Sequence, residues 1–144
     1  MNLLRLIDKV FPPQIAYAHC DVPCGIYDPK SAQIAAATVV KMVEKIEAMP
    51  KENPTVEDRN LFVRAVLTKE EHARRCKEEV LILWTDFFKP EHLEQFPNLH
   101  ETFWKAAKLC SKNKQTASLE NAQDLVKAVD EIAEIFSSVK AVQK

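Results

Sequence analysis

The 144-residue sequence contains a single glycine, Gly25. Chains made of many short strands rely on glycine wherever the backbone must turn through positive φ, so this scarcity argues against a β-sandwich or barrel. Long apolar runs are missing as well. No stretch approaches the roughly twenty consecutive apolar residues that span a bilayer, so no transmembrane helix and no membrane partner are expected. Nor is there an excess of positive charge: 20 Lys and Arg stand against 21 Asp and Glu. Without a basic surface, a nucleic-acid partner is not expected. Glu-x-x-His pairs are also absent, because Lys69, Lys89 and Pro97 lie three residues before His72, His92 and His100. That removes the ligand set of a carboxylate di-iron bundle. What remains is a chain that is 47% hydrophobic and rich in Leu, Ala, Val, Glu and Lys. These residues favour helix, and the length suits one all-α domain.

Residues 1–18, MNLLRLIDKVFPPQIAYA, place small residues at Ala16 and Ala18, but Asp8, Lys9, Pro12 and Pro13 interrupt any apolar core of a secretory signal. The segment reads as a cleaved leader without export features. The alternative is that Leu3, Leu4, Leu6, Ile7 and Val10 form a short amphipathic helix kept in the mature protein.

Four helical segments follow. Asp28 as N-cap and Pro29 at the first helical position open a helix to about Met49, with Ala35, Val39, Met42, Ile46 and Met49 inward. Thr55 and Asp58 form a capping pair for a second helix that continues to about Phe88. Its inward stripe is Phe62, Ala65, Lys69, His72, Cys76, Val80, Leu83 and Phe87. Lys89 and Pro90 break the chain. The third segment turns Leu93, Phe96, His100, Phe103, Ala107 and Cys110 inward, and Pro97 splits or kinks it. After SKNKQTA, Ser118 caps a last helix with Ala122, Leu125, Val129, Ile132, Phe136 and Val139 inside. Short connections imply an antiparallel four-helix bundle, which together with an irregular metal-binding hook at its amino-terminal end makes up one domain of residues 19–144. Cys76 and Cys110 read as small apolar core residues, His72 and His100 as core or interface, His92 as exposed, and Trp84 and Trp104 as packing the bundle.

The chemistry is concentrated before the first helix. His19, Cys20 and Cys24 put three metal-capable groups within six residues, and Gly25 follows at once. Pro23 fixes one backbone angle and Gly25 frees another, so both sulfurs can face one side of a tight loop. Taken alone, the two cysteines suit a local disulfide or half of a structural zinc site, with His72, Cys76, His92 or Cys110 completing it. On that alternative the protein is a zinc-binding helical interaction module.

The segment HCDVPCGIYDP resembles the amino-terminal hook of nickel-containing superoxide dismutases, and LWTDFFKPEHLEQFPNLHE resembles that family's second landmark. The likeness runs from about residue 19 to 138. It implies a four-helix bundle assembled as a homohexamer, made with a leader that a protease removes between Ala18 and His19. It also implies a nickel ion held by the α-amine and imidazole of His19, the amide nitrogen and thiolate of Cys20, and the thiolate of Cys24. The implied reaction converts superoxide to dioxygen and hydrogen peroxide as nickel cycles between Ni(II) and Ni(III). Tyr27 and Asp21 correspond to residues lining the approach to the metal, which gives them a gating role, and Lys89 can draw the superoxide anion to the mouth. The family's carboxylate behind the axial imidazole falls at Ala35, and the arginine that reaches it from a neighbouring subunit falls at His72. A family tyrosine is Phe87. The leader and the reduced thiols point to the cytoplasm.

Overall fold

A computed structural model of the protein describes residues 25–142. The elements are α1 (Lys30–Glu47), α2 (Val56–Ile82), one π-helical turn (Leu83–Phe87), α3 (His92–Gln95), α4 (Leu99–Gln115) and α5 (Leu119–Val142). Helix α1 packs on α2 and α5, and α4 packs on the same two, so the four long helices close a ring in chain order. At one end the Glu47 carboxylate accepts from the Leu119 amide at 3.3 Å. At the other, Lys140 Nζ donates to the Tyr27 carbonyl at 2.9 Å, which makes α1 and α5 antiparallel. No helix among the described residues is long and apolar enough to cross a membrane.

Each helix start follows from local chemistry. The Asp28 carboxylate accepts from the Lys30 amide at 2.8 Å, and Pro29 is the N-cap, so α1 begins one residue later than Asp28-Pro29 predicts. The capping box of α2 is complete. Thr55 Oγ1 accepts from the Asp58 amide at 3.1 Å, and Asp58 Oδ2 accepts from the Thr55 amide at 2.9 Å. The Thr55 hydroxyl and amide hold the Asp58 carboxyl below its ordinary range. Ser118 Oγ accepts from the Asn121 amide at 3.3 Å, at the start of α5.

The predicted stripes differ in how well they match. All six inward positions of α5 are buried. On α1 the buried row is Ala32, Ala35, Ala36, Val39 and Val43, whereas Met42, Ile46 and Met49 are only half-buried. The core follows the i, i+4 rows that face both neighbours, where alanines allow close approach. On α2, Phe62 is 46% exposed, and Val56, Leu61, Val63 and Leu67 are exposed with it. The cause lies on α4, which ends opposite Lys69. The buried Lys69 ammonium donates to the carbonyl of Asn113, and to those of Lys114 and Thr116 at 3.0 Å each. Residues of α2 before this point therefore have no α4 surface to cover them. Burial pushes the Lys69 amine down from its ordinary range, and the three carbonyls account for its three donors.

Pro97 splits the third segment. Phe96, held out of helical geometry by the following proline, has φ −126° and ψ 76°. Within α4 the inward row is Leu99, Phe103, Ala106 and Cys110, so Leu99 takes the buried position and His100, at the edge of the stripe, is exposed, contrary to the predicted spacing. Trp104 is 54% exposed, with Lys108 Nζ 5.6 Å from its ring centre, so it does not pack the bundle. His92 is half-buried rather than exposed.

Candidate metal centre

His19, Cys20, Asp21 and Cys24 lie outside the described residues. Their attachment point is described. Gly25, bonded to Cys24, has φ +68°, in the left-handed region where side chains are strained. Two residues later Tyr27 is buried, and its ring tilts against Phe87 with centroids 5.7 Å apart. The chain carrying the hook is thus anchored to one end of the bundle immediately after its turn.

Phe87 organises that end. Its ring lies 4.4 Å from Phe136, 4.9 Å from Phe88 and 6.2 Å from His92, and Phe88 continues the contact to Phe103 at 5.2 Å. Two successive large rings, Phe87 and Phe88, both point inward at the end of α2. The π turn sets their directions. The Phe88 amide bonds the Leu83 carbonyl at 3.2 Å, five residues back, and Phe88 itself is extended. The motif LWTDFFKP is therefore the place where α2 widens, ends and closes the bundle beneath Tyr27. Phe88, Phe136 and Lys140 were not singled out as site residues by sequence. Phe136 stood on the predicted stripe, but nothing local signals that Lys140 would reach Tyr27.

Beside Tyr27 lies a cavity of about 190 Å³, lined by Ile26, Asp28, Ser31, Glu79, Ile82 and Leu83 as well. Lys89 is exposed at the same end, where its amide donates to His92 Nδ1 at 3.0 Å. His92 stacks along Phe87, so Lys89 is positioned through its backbone while its ammonium extends into solvent. Ala35 is in the core, 4% exposed. His72 sits half-buried on α2 and gives Nδ1–H to the Thr68 carbonyl at 2.9 Å. No hydrogen bond engages His72 Nε2 among the described residues. Trp84 Nε1 donates to His100 Nδ1 at 2.8 Å and stacks on Phe103 at 5.9 Å.

Among the described residues no three His, Cys, Asp or Glu side chains converge as a metal set. Cys76 and Cys110 are buried free thiols between α2 and α4, so these two candidates for a fourth zinc ligand belong to the bundle interior.

The family of nickel-containing superoxide dismutases matches residues 14–140. The chain belongs to this family. It is 37% identical over 136 residues to the nickel superoxide dismutase of Streptomyces seoulensis, covering 94% of this chain and 98% of the relative. The Streptomyces coelicolor enzyme is 34% identical over 131 residues, covering 88% and 95%. A solved native nickel superoxide dismutase is 34% identical, with a TM-score of 0.75 over 85% of this chain and 99% of the other. A second, with nickel ligation corresponding to its oxidized state, is 35% identical at a TM-score of 0.76 over the same shares. The protein is a superoxide dismutase and its cofactor is nickel.

Proposed function

We propose that cleavage between Ala18 and His19 turns the chain into a nickel enzyme whose ligands are the α-amine and imidazole of His19, the amide nitrogen and thiolate of Cys20, and the thiolate of Cys24. The observation that carries this reading is the anchoring of Tyr27, three residues after Cys24, on Phe87 and Lys140. A donor-rich segment joined to a rigid bundle end through the left-handed Gly25 can hold its ligands in one arrangement.

The donor set suits nickel. Two thiolates and an amide nitrogen are strong electron donors, and an α-amine with pKa about 8 has a neutral fraction at ordinary pH, whereas an internal His19 has only an amide there. Bound nickel supplies the Ni(II)/Ni(III) couple that lets one site oxidise one superoxide and reduce the next. The protein's own residues control access. Tyr27 and Asp21 restrict the approach and organise small molecules there, and Lys89 raises the local concentration of the anion by its charge. His72 stands on a face suited to subunit contact in a homohexamer. The leader is removed by a protease, the assembly works in the cytoplasm, and neither nucleic acid nor membrane is a partner. The solved relatives match 99% of their own length to 85% of this chain, in keeping with a mature protein shorter than the translated one.

The test compares protein beginning at His19 with the uncleaved chain, both exposed to nickel. The cleaved form is expected to bind one nickel per chain and to give a low-spin Ni(III) resonance with axial nitrogen coupling, which superoxide alters. The uncleaved form is expected to lack that signal. Equal spectra from the two would overturn the activation step, and zinc binding in place of nickel would overturn the ligand assignment.

A further inference from the structure

Two cysteines outside the hook have no part in the chemistry above. Cys76 on α2 and Cys110 on α4 are both free and 0% exposed. The contacts between these antiparallel helices place them opposite each other. Trp84 bonds His100, Lys77 Nζ donates to Ser111 Oγ at 3.1 Å, and Lys69 reaches Asn113, so the pairing descends α2 as it ascends α4. Cys76 lies between Lys69 and Trp84 and Cys110 between His100 and Asn113, so both fall within the span these pairs bracket. Each thiol is the group that most strongly influences the other. The surrounding contact face is made of small residues, Ala73, Ala106 and Ala107, all buried. Small residues at the seam let the two helix backbones approach closely, as a disulfide between them requires.

The two thiols are unequal. The neighbouring Cys110, burial and the Glu79 charge push the Cys76 thiol up, whereas the neighbouring Cys76 and the Lys77 charge draw the Cys110 thiol down against the opposing effect of burial. Cys110 is therefore the sulfur that reaches the thiolate form first, and the thiolate is the nucleophile. An oxidant is at hand, because dismutation of superoxide yields hydrogen peroxide. Cys76 lies seven residues along α2 from Leu83, which lines the cavity beside Tyr27, a rise of roughly 10 Å.

We infer that Cys76 and Cys110 form a peroxide-oxidisable dithiol, which closes to a disulfide and staples α2 to α4. The Cys110 sulfur attacks one peroxide oxygen and the O–O bond breaks. The departing oxygen leaves as water, and Cys110 is left as a sulfenic acid. The Cys76 sulfur then attacks the Cys110 sulfur, and the second oxygen leaves as water with the Cys76 proton. Two thiols lose two electrons and two protons, and one peroxide becomes two waters. The staple closes a loop of roughly 35 residues, so the oxidised bundle resists unfolding more than the reduced one. A chain that releases peroxide would thereby be reinforced by its own product.

The nickel-loaded protein is treated with hydrogen peroxide and quenched with catalase. It is then denatured in a thiol-alkylating reagent, digested and mapped by mass spectrometry. A linked Cys76–Cys110 peptide pair is expected, lighter by two hydrogens, reversed by dithiothreitol and absent from Cys76→Ser and Cys110→Ser. The oxidised sample is expected to melt above the reduced one. Recovery of both residues as alkylated free thiols, while Cys20 and Cys24 are oxidised, would overturn the proposal and leave the hook reading intact. Arrest at single sulfinic acids, or pairing of either residue with a hook cysteine, would overturn it equally. Should the serine variants fail to fold, the map of the unmodified protein decides by itself.

Discussion

Lys140, near the end of α5, donates from Nζ to the carbonyl oxygen of Tyr27 at 2.9 Å and lies 4.8 Å from the centre of the Phe136 ring. One side chain thus joins the last helix to the residue that follows the hook. Replacing Lys140 by Met keeps the aliphatic stem over Phe136 and removes the donor. The expected result is a loss of about 1 kcal/mol in urea unfolding, since a net hydrogen bond contributes on that order. Earlier hydrogen exchange of amides around Tyr27 should accompany it. Unchanged exchange there would show that the anchor rests on the aromatic packing alone.

Phe87 is the hub of that packing. Phe87→Ala removes a ring that touches Tyr27, Phe136, Phe88 and His92 and leaves a cavity beneath Tyr27. We expect a loss of about 3–5 kcal/mol in global stability, the usual range for a buried Phe. Dismutase activity per bound nickel should also fall, because the wall behind Tyr27 is gone. Full activity per nickel would detach the aromatic cluster from function.

Lys69→Met leaves three carbonyls at the end of α4 without the ammonium that satisfies them. Buried acceptors left unpaired cost roughly 1–3 kcal/mol, and the amides of residues 113–116 should lose exchange protection before the rest of α4. Fraying spread evenly over α4 would contradict this local cause.

The exposed cluster on α2 gives an acid-sensitive term. Glu71 accepts from Arg74 Nη2 and Arg75 Nε at 2.8 Å each, and these hydrogen bonds hold its carboxyl at about 2 instead of the ordinary 4.5. A depressed carboxylate pKa means that its stabilisation is complete above 4.5 and is lost as pH falls through about 2. The Tm difference between wild type and Glu71→Gln should therefore be largest above 4.5, shrink across that window and weaken in high salt. A difference independent of pH would assign the effect to packing.

Lys89 is exposed, and its backbone is tied to His92. Lys89→Gln should preserve the fold and nickel content while lowering kcat/KM at low ionic strength, by roughly two- to tenfold if this one charge contributes strongly to steering. The gap between variant and wild type should close as salt is added. Identical rates with identical salt dependence would end the steering role.

Much of this fold is legible in the chain because the signals are local. The alternation of threes and fours along α5 places Ala122, Leu125, Val129, Ile132, Phe136 and Val139 on one face, and all six are buried. The Thr55–Asp58 box and the Asp28–Pro29 start act within one turn, so their residues announce them. The hook is legible for the same reason. Its donors stand within six consecutive residues, beside the chain's single glycine.

The remaining features depend on what packs opposite. Periodicity allows either of two adjacent rows on α1 to face inward, and contact with both α2 and α5 selects Val43 over Met42. The exposure of Phe62 follows from where α4 stops, and that of His100 from the row of Leu99, Phe103, Ala106 and Cys110 that faces the core. The bond between Lys140 and Tyr27 joins positions 113 residues apart, and Cys76 meets Cys110 across two helices. By itself the sequence determined where the long helices lie and how they start, because each start arises from interactions within a few residues. The tertiary structure alone decided which rows became core, how the hook is anchored and which thiols meet, because each requires surfaces brought together by the whole bundle.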